Sequence, residues 1–179
     1  MYPPGSSEAD FWHLGWQLAW YWFNNDGAVW TGGGDILKQD RNIKNAVTAS
    51  VKQLFAQECE KARNTHASER GTSLQIMDIG VDSLPLRATL NHPNPYFKLK
   101  IDYDATRIDS SCCCHNTFRI EAHWFDVADM EHWYDFLFWG SEPFVGIGHS
   151  YPIDISWKST TAVEKCPKGP YKTTGWPFE

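Results

Sequence analysis

The sequence predicts an α+β fold: two N-terminal helices packed on an antiparallel sheet of four to six strands, with a short helix after Asp126. Three observations predict it. An apolar stripe of helical period runs through residues 36–64. From Thr72 onward the apolar pattern changes to period two. The strands then cluster after the helices instead of alternating with them, which disfavours a three-layer α/β arrangement. At 179 residues the chain suits one domain with a real core. The expected organisation is a helical part over 1–70, a sheet part over 71–159 and an extended tail over 160–179. No repeat and no linker divides it.

The first helix is announced by Ser6-Ser7-Glu8-Ala9-Asp10, where serine caps free N–H groups and the acids suit the positive end of the helix dipole. Phe11 to Phe23 follows without a single Asp, Glu, Lys or Arg. Trp12, Trp16 and Trp20 recur at i+4 and share one helix face, with Gly15 and Ala19 as a small-residue notch beside it. A helix apolar nearly all round is either buried or membrane-associated. This one spans only about 20 Å, too short for the hydrocarbon core of a bilayer. Core packing is the ordinary reading. Membrane or partner contact through the three tryptophans is the alternative, since Trp favours the bilayer interface. Asn24-Asn25-Asp26-Gly27 ends the helix.

Thr31-Gly32-Gly33-Gly34-Asp35 reads as a flexible link whose Asp35 caps the next helix. It lacks the Gly-Lys-Ser/Thr that completes a phosphate loop. In the second helix Ile43, Val47, Leu54 and Phe55 form the stripe, flanked by Val51 and Ile36. Lys44, Lys52, Gln53, Lys61 and Arg63 fall largely outside it. Beyond a polar connection, Leu74 and Ile76 mark one strand and Leu84 to Leu90 a second, with Pro85 near its start. Asn91-His92-Pro93-Asn94-Pro95 is a turn by composition. Tyr96 to Asp104 alternates, with Phe97, Leu99, Ile101 and Tyr103 inward and Lys98, Lys100 and Asp102 outward. Asn116 to Phe125 repeats the pattern, placing Phe118, Ile120, Ala122 and Trp124 inward and Arg119, Glu121 and His123 outward. Asp126 reads as the cap of a short helix ended by Gly140. Tyr151 to Trp157 reads as the last strand.

Composition narrows the function classes. An apolar fraction of 42% excludes disorder as the main state. Lysine plus arginine is 16 against 22 aspartate plus glutamate, a formal net charge of −6. That balance argues against nucleic acid as a partner, because phosphate binding needs a basic face. Met1-Tyr-Pro-Pro-Gly does not read as a cleavable signal. The expectation is a chain that is cytoplasmic in its producer, cut from a larger protein, or exported by a dedicated secretion system.

Of the five cysteines, Cys59, Cys112, Cys113, Cys114 and Cys166, at least one stays unpaired in any internal scheme. At most two of the consecutive triplet can pair with Cys59 and Cys166. Free thiols in a reducing compartment are the plainer expectation. A disulfide from the triplet to Cys166 is the alternative. Zinc on Cys112, Cys113, Cys114 and His115 is a third reading, though the spacers of structural zinc sites are missing. No cofactor is called for.

The densest titratable group is His123, Asp126, Asp129, Glu131, His132 and Asp135. The three-residue spacing of His123, Asp126, Asp129 and His132 suits acid–base or metal chemistry if they share a helix face. A strand at His123 and a cap at Asp126 would break that geometry. His149, between Gly148 and Ser150, is a further catalytic candidate, although no nucleophile elbow surrounds it. The ten tryptophans and many acids also suit sugar stacking. Trp133, Trp139, Trp157 and Trp176 are the expected exposed ones, and Glu121 and Glu142 are candidate carboxylates for hydrolysis.

Residues 117–157 resemble the C-terminal part of an uncharacterised bacterial family associated with type VI secretion and polymorphic-toxin loci. The resemblance rests on the strand Thr117-Phe-Arg-Ile-Glu-Ala-His-Trp124, on Glu142-Pro143-Phe144 and on the closing strand Ile153-Asp-Ile-Ser-Trp157. It implies a setting, interbacterial competition, and transfers no catalytic residue. Three function classes follow: a secretion-delivered antibacterial effector, an immunity protein whose acidic balance suits a basic toxin, and a glycan-binding or carbohydrate-active protein. The matching partners are a cognate toxin or immunity protein, or a membrane surface.

Overall fold

Helices precede an antiparallel sheet, as the α+β class requires. The structure, a computed structural model, describes residues 7–25, 27–65, 68–83, 86–87, 90, 96–128 and 150–178. The helices are α1 (Ser7–Asn24), α2 (Gly34–Leu37) and α3 (Arg41–Thr65). The strands are β1 (Gly71–Met77), β2 (Tyr96–Tyr103), β3 (Arg107–Ile108), β4 (Cys114–Ala128), β5 (Tyr151–Lys165) and β6 (Tyr171–Thr174). Their order is β1-β2-β4-β5-β6, with β3 on β4. Contacts divide the chain into two units. One comprises 1–43, 77–97 and 123–157, and the other 44–76, 98–122 and 158–179.

In the first unit α1 buries Leu14, Leu18, Ala19 and Trp22. Asn24 and Asn25 end it: Asn24 Nδ2 donates to Trp20 O at 2.8 Å and Asn25 Nδ2 to Tyr21 O at 2.8 Å. Two of the three consecutive glycines, Gly33 and Gly34, are packing requirements. Gly33 has φ 95°, and a Cβ there would meet Leu14 Cδ1 at 2.7 Å; one on Gly34 would meet Ser156 O at 2.7 Å. Asp35 is therefore inside α2, paired with Lys38 at 2.6 Å, and is not the expected cap.

Asp40 caps α3 instead. It is almost fully buried. Its Oδ1 accepts from Asn42 N at 3.0 Å and Ile43 N at 3.4 Å, and its Oδ2 from Asp82 N at 2.8 Å and Ser83 N at 2.9 Å. One carboxyl group thus satisfies orphan donors of a helix and of a distant turn. That turn overrides the expected strand over Leu84 to Leu90. Leu86 N and Arg87 N bond to Ser83 O, and residues 86, 87 and 90 are helical. Trp30 forms a parallel bridge with Ile153.

In the second unit α3 buries Val47, Val51, Leu54 and Phe55 of the expected stripe, and Cys59 and Ala62 besides. Leu99 and Ile101 of β2 and Phe118 and Ile120 of β4 are buried on the inner face. Phe55 lies 6.4 Å from Phe118 and 6.0 Å from Tyr171, ring to ring. Two disulfides overturn the free-thiol expectation: Cys59–Cys114 and Cys113–Cys166. Cys112 is the free, exposed one. The expected tail from Thr160 is strand instead, since β5 continues to Lys165 and returns as β6.

Two substitution sets test this packing by chemical denaturation. Phe55→Ala should cost about 3–5 kcal/mol, because a fully buried ring leaves a cavity. Removing Cys59–Cys114 as the double alanine should cost about 2–5 kcal/mol, whereas Cys112→Ser should stay within about 0.5 kcal/mol.

Candidate functional site

The first unit presents an aromatic row. Along α1, Trp12, Trp16 and Trp20 are 39%, 63% and 70% exposed, while Leu14 and Leu18 on the opposite side are fully buried. Gly15 and Ala19, the expected notch, are buried with the leucines. Core packing of the three tryptophans is therefore overturned. The helix is apolar all round, but the tertiary structure takes up the leucine side. Phe23 adds a further exposed ring at the C-terminal end. The acids of α1 are in its first turn, Glu8 and Asp10, and its last turn has no basic residue. Among the described residues no helix is long and apolar enough to cross a membrane.

Tyr21 and Tyr151 anchor the buried side. Their rings meet edge to face at 4.8 Å, and the Tyr151 hydroxyl donates to Leu18 O at 2.7 Å. Burial first, then Tyr21 and Asp126, pushes the Tyr151 hydroxyl well above its ordinary value. It stays protonated and donating at any pH at which the protein works.

The second unit carries a polar cleft of about 480 Å³ on the sheet. Arg107, His115, Thr117, Glu164 and Lys172 line it. His115 Nε2 lies 2.9 Å from Asp109 Oδ2, and Nδ1 lies 3.8 Å from Glu164 Oε2. Lys172 Nζ closes the chain on Glu164 at 2.8 Å. Asp109 is placed by the turn between β3 and β4, where its Oδ1 accepts from Ser111 N at 2.8 Å and Cys113 N at 2.9 Å. Among the described residues no hydroxyl or free thiol is hydrogen-bonded to His115. The group ties the turn before β4 and β4 itself to β5 and β6 through His115, Asp109, Glu164 and Lys172. The zinc reading on Cys112, Cys113, Cys114 and His115 fails, because Cys113 and Cys114 are both in disulfides and offer no thiolates.

His123 and Asp126, the described members of the predicted acid–histidine group, do not share a helix face. His123 and Asp126 both lie on β4, three residues apart and hence on opposite faces. His123 points outward, stacked on Phe125 at 5.8 Å and 3.7 Å from Asp154. Asp126 is buried, with Val127 N donating to its Oδ1 at 2.8 Å, so it is no helix cap. Asp129, His132, Trp133, Trp139, Glu142 and His149, with the expected short helix, lie outside the described residues. Trp157 and Trp176 are buried, not exposed. The Trp157 ring stacks on Phe97 at 5.9 Å. Glu121 is paired with Lys158 at 3.1 Å. Sequence reasoning missed Asp109 and Glu164 around His115; the Asp-Ser-Ser turn before the cysteines was the available signal for Asp109.

No family model, curated protein or solved structure matches this chain.

Electrostatics on the outer face gives a pH prediction. The Thr72 hydroxyl and then Lys100 hold Asp102 below the usual carboxylate range. Arg119, forked on Asp104 at 3.1 Å twice, lowers Asp104. His115 and then the Cys113 amide lower Asp109. All three folded-state values are depressed, so their stabilisation is complete above the unfolded carboxylate range and is lost as pH falls below about 4. Urea midpoints should fall with acidification there, and Asp104→Asn should flatten that dependence. A midpoint independent of pH across that range would contradict these pairings.

Proposed function

We propose that this chain is a secretion-delivered antibacterial effector domain of interbacterial competition, and that the tryptophan face of α1 engages the envelope of the target cell. The observation that carries the reading is the row of Trp12, Trp16 and Trp20, exposed on a helix whose other side is fully packed. A contiguous apolar surface marks an interaction site, and indoles are the side chains that a bilayer interface takes up best. The helix would lie in the interface plane with its aromatic side inserted. Two further features support the reading. Disulfides persist in oxidising compartments such as the bacterial periplasm, and two are formed here. The family resembled by residues 117–157 supplies the setting.

A second reading is an immunity or binding protein, favoured by the net charge of −6, which draws basic partners. It uses the same face against a protein instead of a lipid surface. The glycan reading loses Trp157, which is buried.

Vesicle binding separates the first two. With no basic residue in its last turn and acids in its first, α1 should insert into phosphatidylcholine vesicles with a blue shift of tryptophan emission. Added phosphatidylglycerol should weaken the binding. Trp16→Ser and Trp20→Ser should each reduce partitioning about tenfold, given roughly 1.5–3 kcal/mol for fully covering one large side chain, with the melting temperature unchanged. Expression with a periplasmic signal should arrest bacterial growth, and the double variant should relieve it. Harmless expression in both compartments together with no vesicle binding would sink the effector reading. Vesicle inertness with capture of a basic toxin would favour the second.

A further inference from the structure

The sheet has two lateral edges, and they are built differently. β6 is four residues long and carries Lys172, which is committed to Glu164 at 2.8 Å. Shortness and an edge lysine are ordinary protections against unwanted strand pairing. β1 is seven residues, Gly-Thr-Ser-Leu-Gln-Ile-Met, with no charge and no proline. It stands at the end of the strand order and pairs with β2 on one side. Its parity is fixed by Gln75, whose Oε1 accepts from Ser50 Oγ of α3 at 2.8 Å. Leu74 and Ile76 therefore point to the outer face, 65% and 63% exposed. An uncharged strand that ends the sheet among the described residues, with two exposed aliphatic side chains, is a template for another strand.

We propose that β1 is a self-association edge, pairing antiparallel with β1 of a second copy of this chain about a two-fold axis at Leu74. Three arguments select a second copy as the occupant. First, the register is self-complementary. Leu74 faces Leu74 of the other copy and Thr72 faces Ile76, all on the outer face, while Ser73 faces Gln75 on the other. Aliphatic and β-branched cross-strand pairs stabilise a sheet, and like charges placed opposite oppose it; this strand brings none. Second, β1 offers no charge by which a foreign strand would be selected, so its specificity must come from shape and register. Third, isologous pairing closes on itself. It uses up both β1 edges, so this contact closes at two copies. The net charge of −6 on each chain opposes approach, so association should strengthen as salt screens it.

The test is sedimentation equilibrium of the full chain carrying Cys112→Ser, which removes disulfide-linked dimers. A reversible dimer is expected, tighter at high salt. Leu74→Lys and Leu74→Asp should each raise the dissociation constant at least tenfold, because the axis places each charge against its own copy. Both alter an exposed side chain, so melting temperatures measured at concentrations where parent and variants are all monomeric should not move. Mixing the two variants should restore a heterodimer to within a few-fold of the parent. Ile76→Lys should weaken the parent dimer without such pairwise rescue by Leu74→Asp. A chain that stays monomeric overturns the proposal. So does a dimer indifferent to both Leu74 variants, a dimer abolished by Trp16→Ser and Trp20→Ser, or a Lys–Asp mixture that fails to pair.

Discussion

Strand β4 alternates without a slip over its length, and much else depends on that parity. Phe118, Ile120, Ala122 and Trp124 turn inward and are buried. Arg119, Glu121 and His123 turn outward, into ion pairs or ring contacts. Two neighbouring cysteines pin its start. Cys114, the first residue of β4, pairs with Cys59 of α3, and Cys113, just before it, pairs with Cys166 beyond the end of β5. One ties β4 to the helix and the other ties its start toward the neighbouring strand. A slip of one residue in β4 would move the whole inner set into water.

Helix α1 shows the opposite situation, where period decides nothing. From Phe11 to Phe23 the chain is apolar on nearly every side, so the sequence defines the helix and its ends without defining its buried face. The tertiary structure takes the smaller side. Leu14, Gly15, Leu18 and Ala19 are buried, with Gly33 close against Leu14. Trp12, Trp16 and Trp20 are left outward, while Trp22 is buried with the leucines. Small residues permit close approach, and a close-packed interior holds them with fewer voids than it would hold three tryptophans in a row. The outward face then has the composition of an interface and none of a core.

Legibility in the sequence followed the same division. The stripe of α3 and the alternation of β2 and β4 were readable because apolar and polar residues differ sharply there. The break at Lys38–Asp40 was not, since Ile36 and Ile43 are seven residues apart and remain in phase across it. Period two over Leu84–Leu90 misled because Asp40 holds the N–H groups of Asp82 and Ser83 from far away in sequence. Trp157 could have been placed: it shares parity with Ile153 and Ile155, both buried. The cysteine partners and Glu164 beside His115 could not, because tertiary distance alone brings them together.

The disulfides and the outer-face charges answer one problem from two sides. In the second unit a single helix covers one sheet face, and the other face is solvated and laced with ion pairs such as Lys158–Glu121 and Arg70–Asp104. Exposed pairs contribute about 0–1 kcal/mol each, so they set solubility and strand register more than stability. The apolar layer under α3 is therefore asked to hold strands drawn from distant parts of the chain. Closing loops of 55 and 53 residues by covalent bonds removes much of the chain entropy that this layer would otherwise have to offset. A half-wet sheet under one helix is marginal on burial alone, and cross-links at the start of β4 are an economical remedy. They leave the outer face and the β1 edge unencumbered.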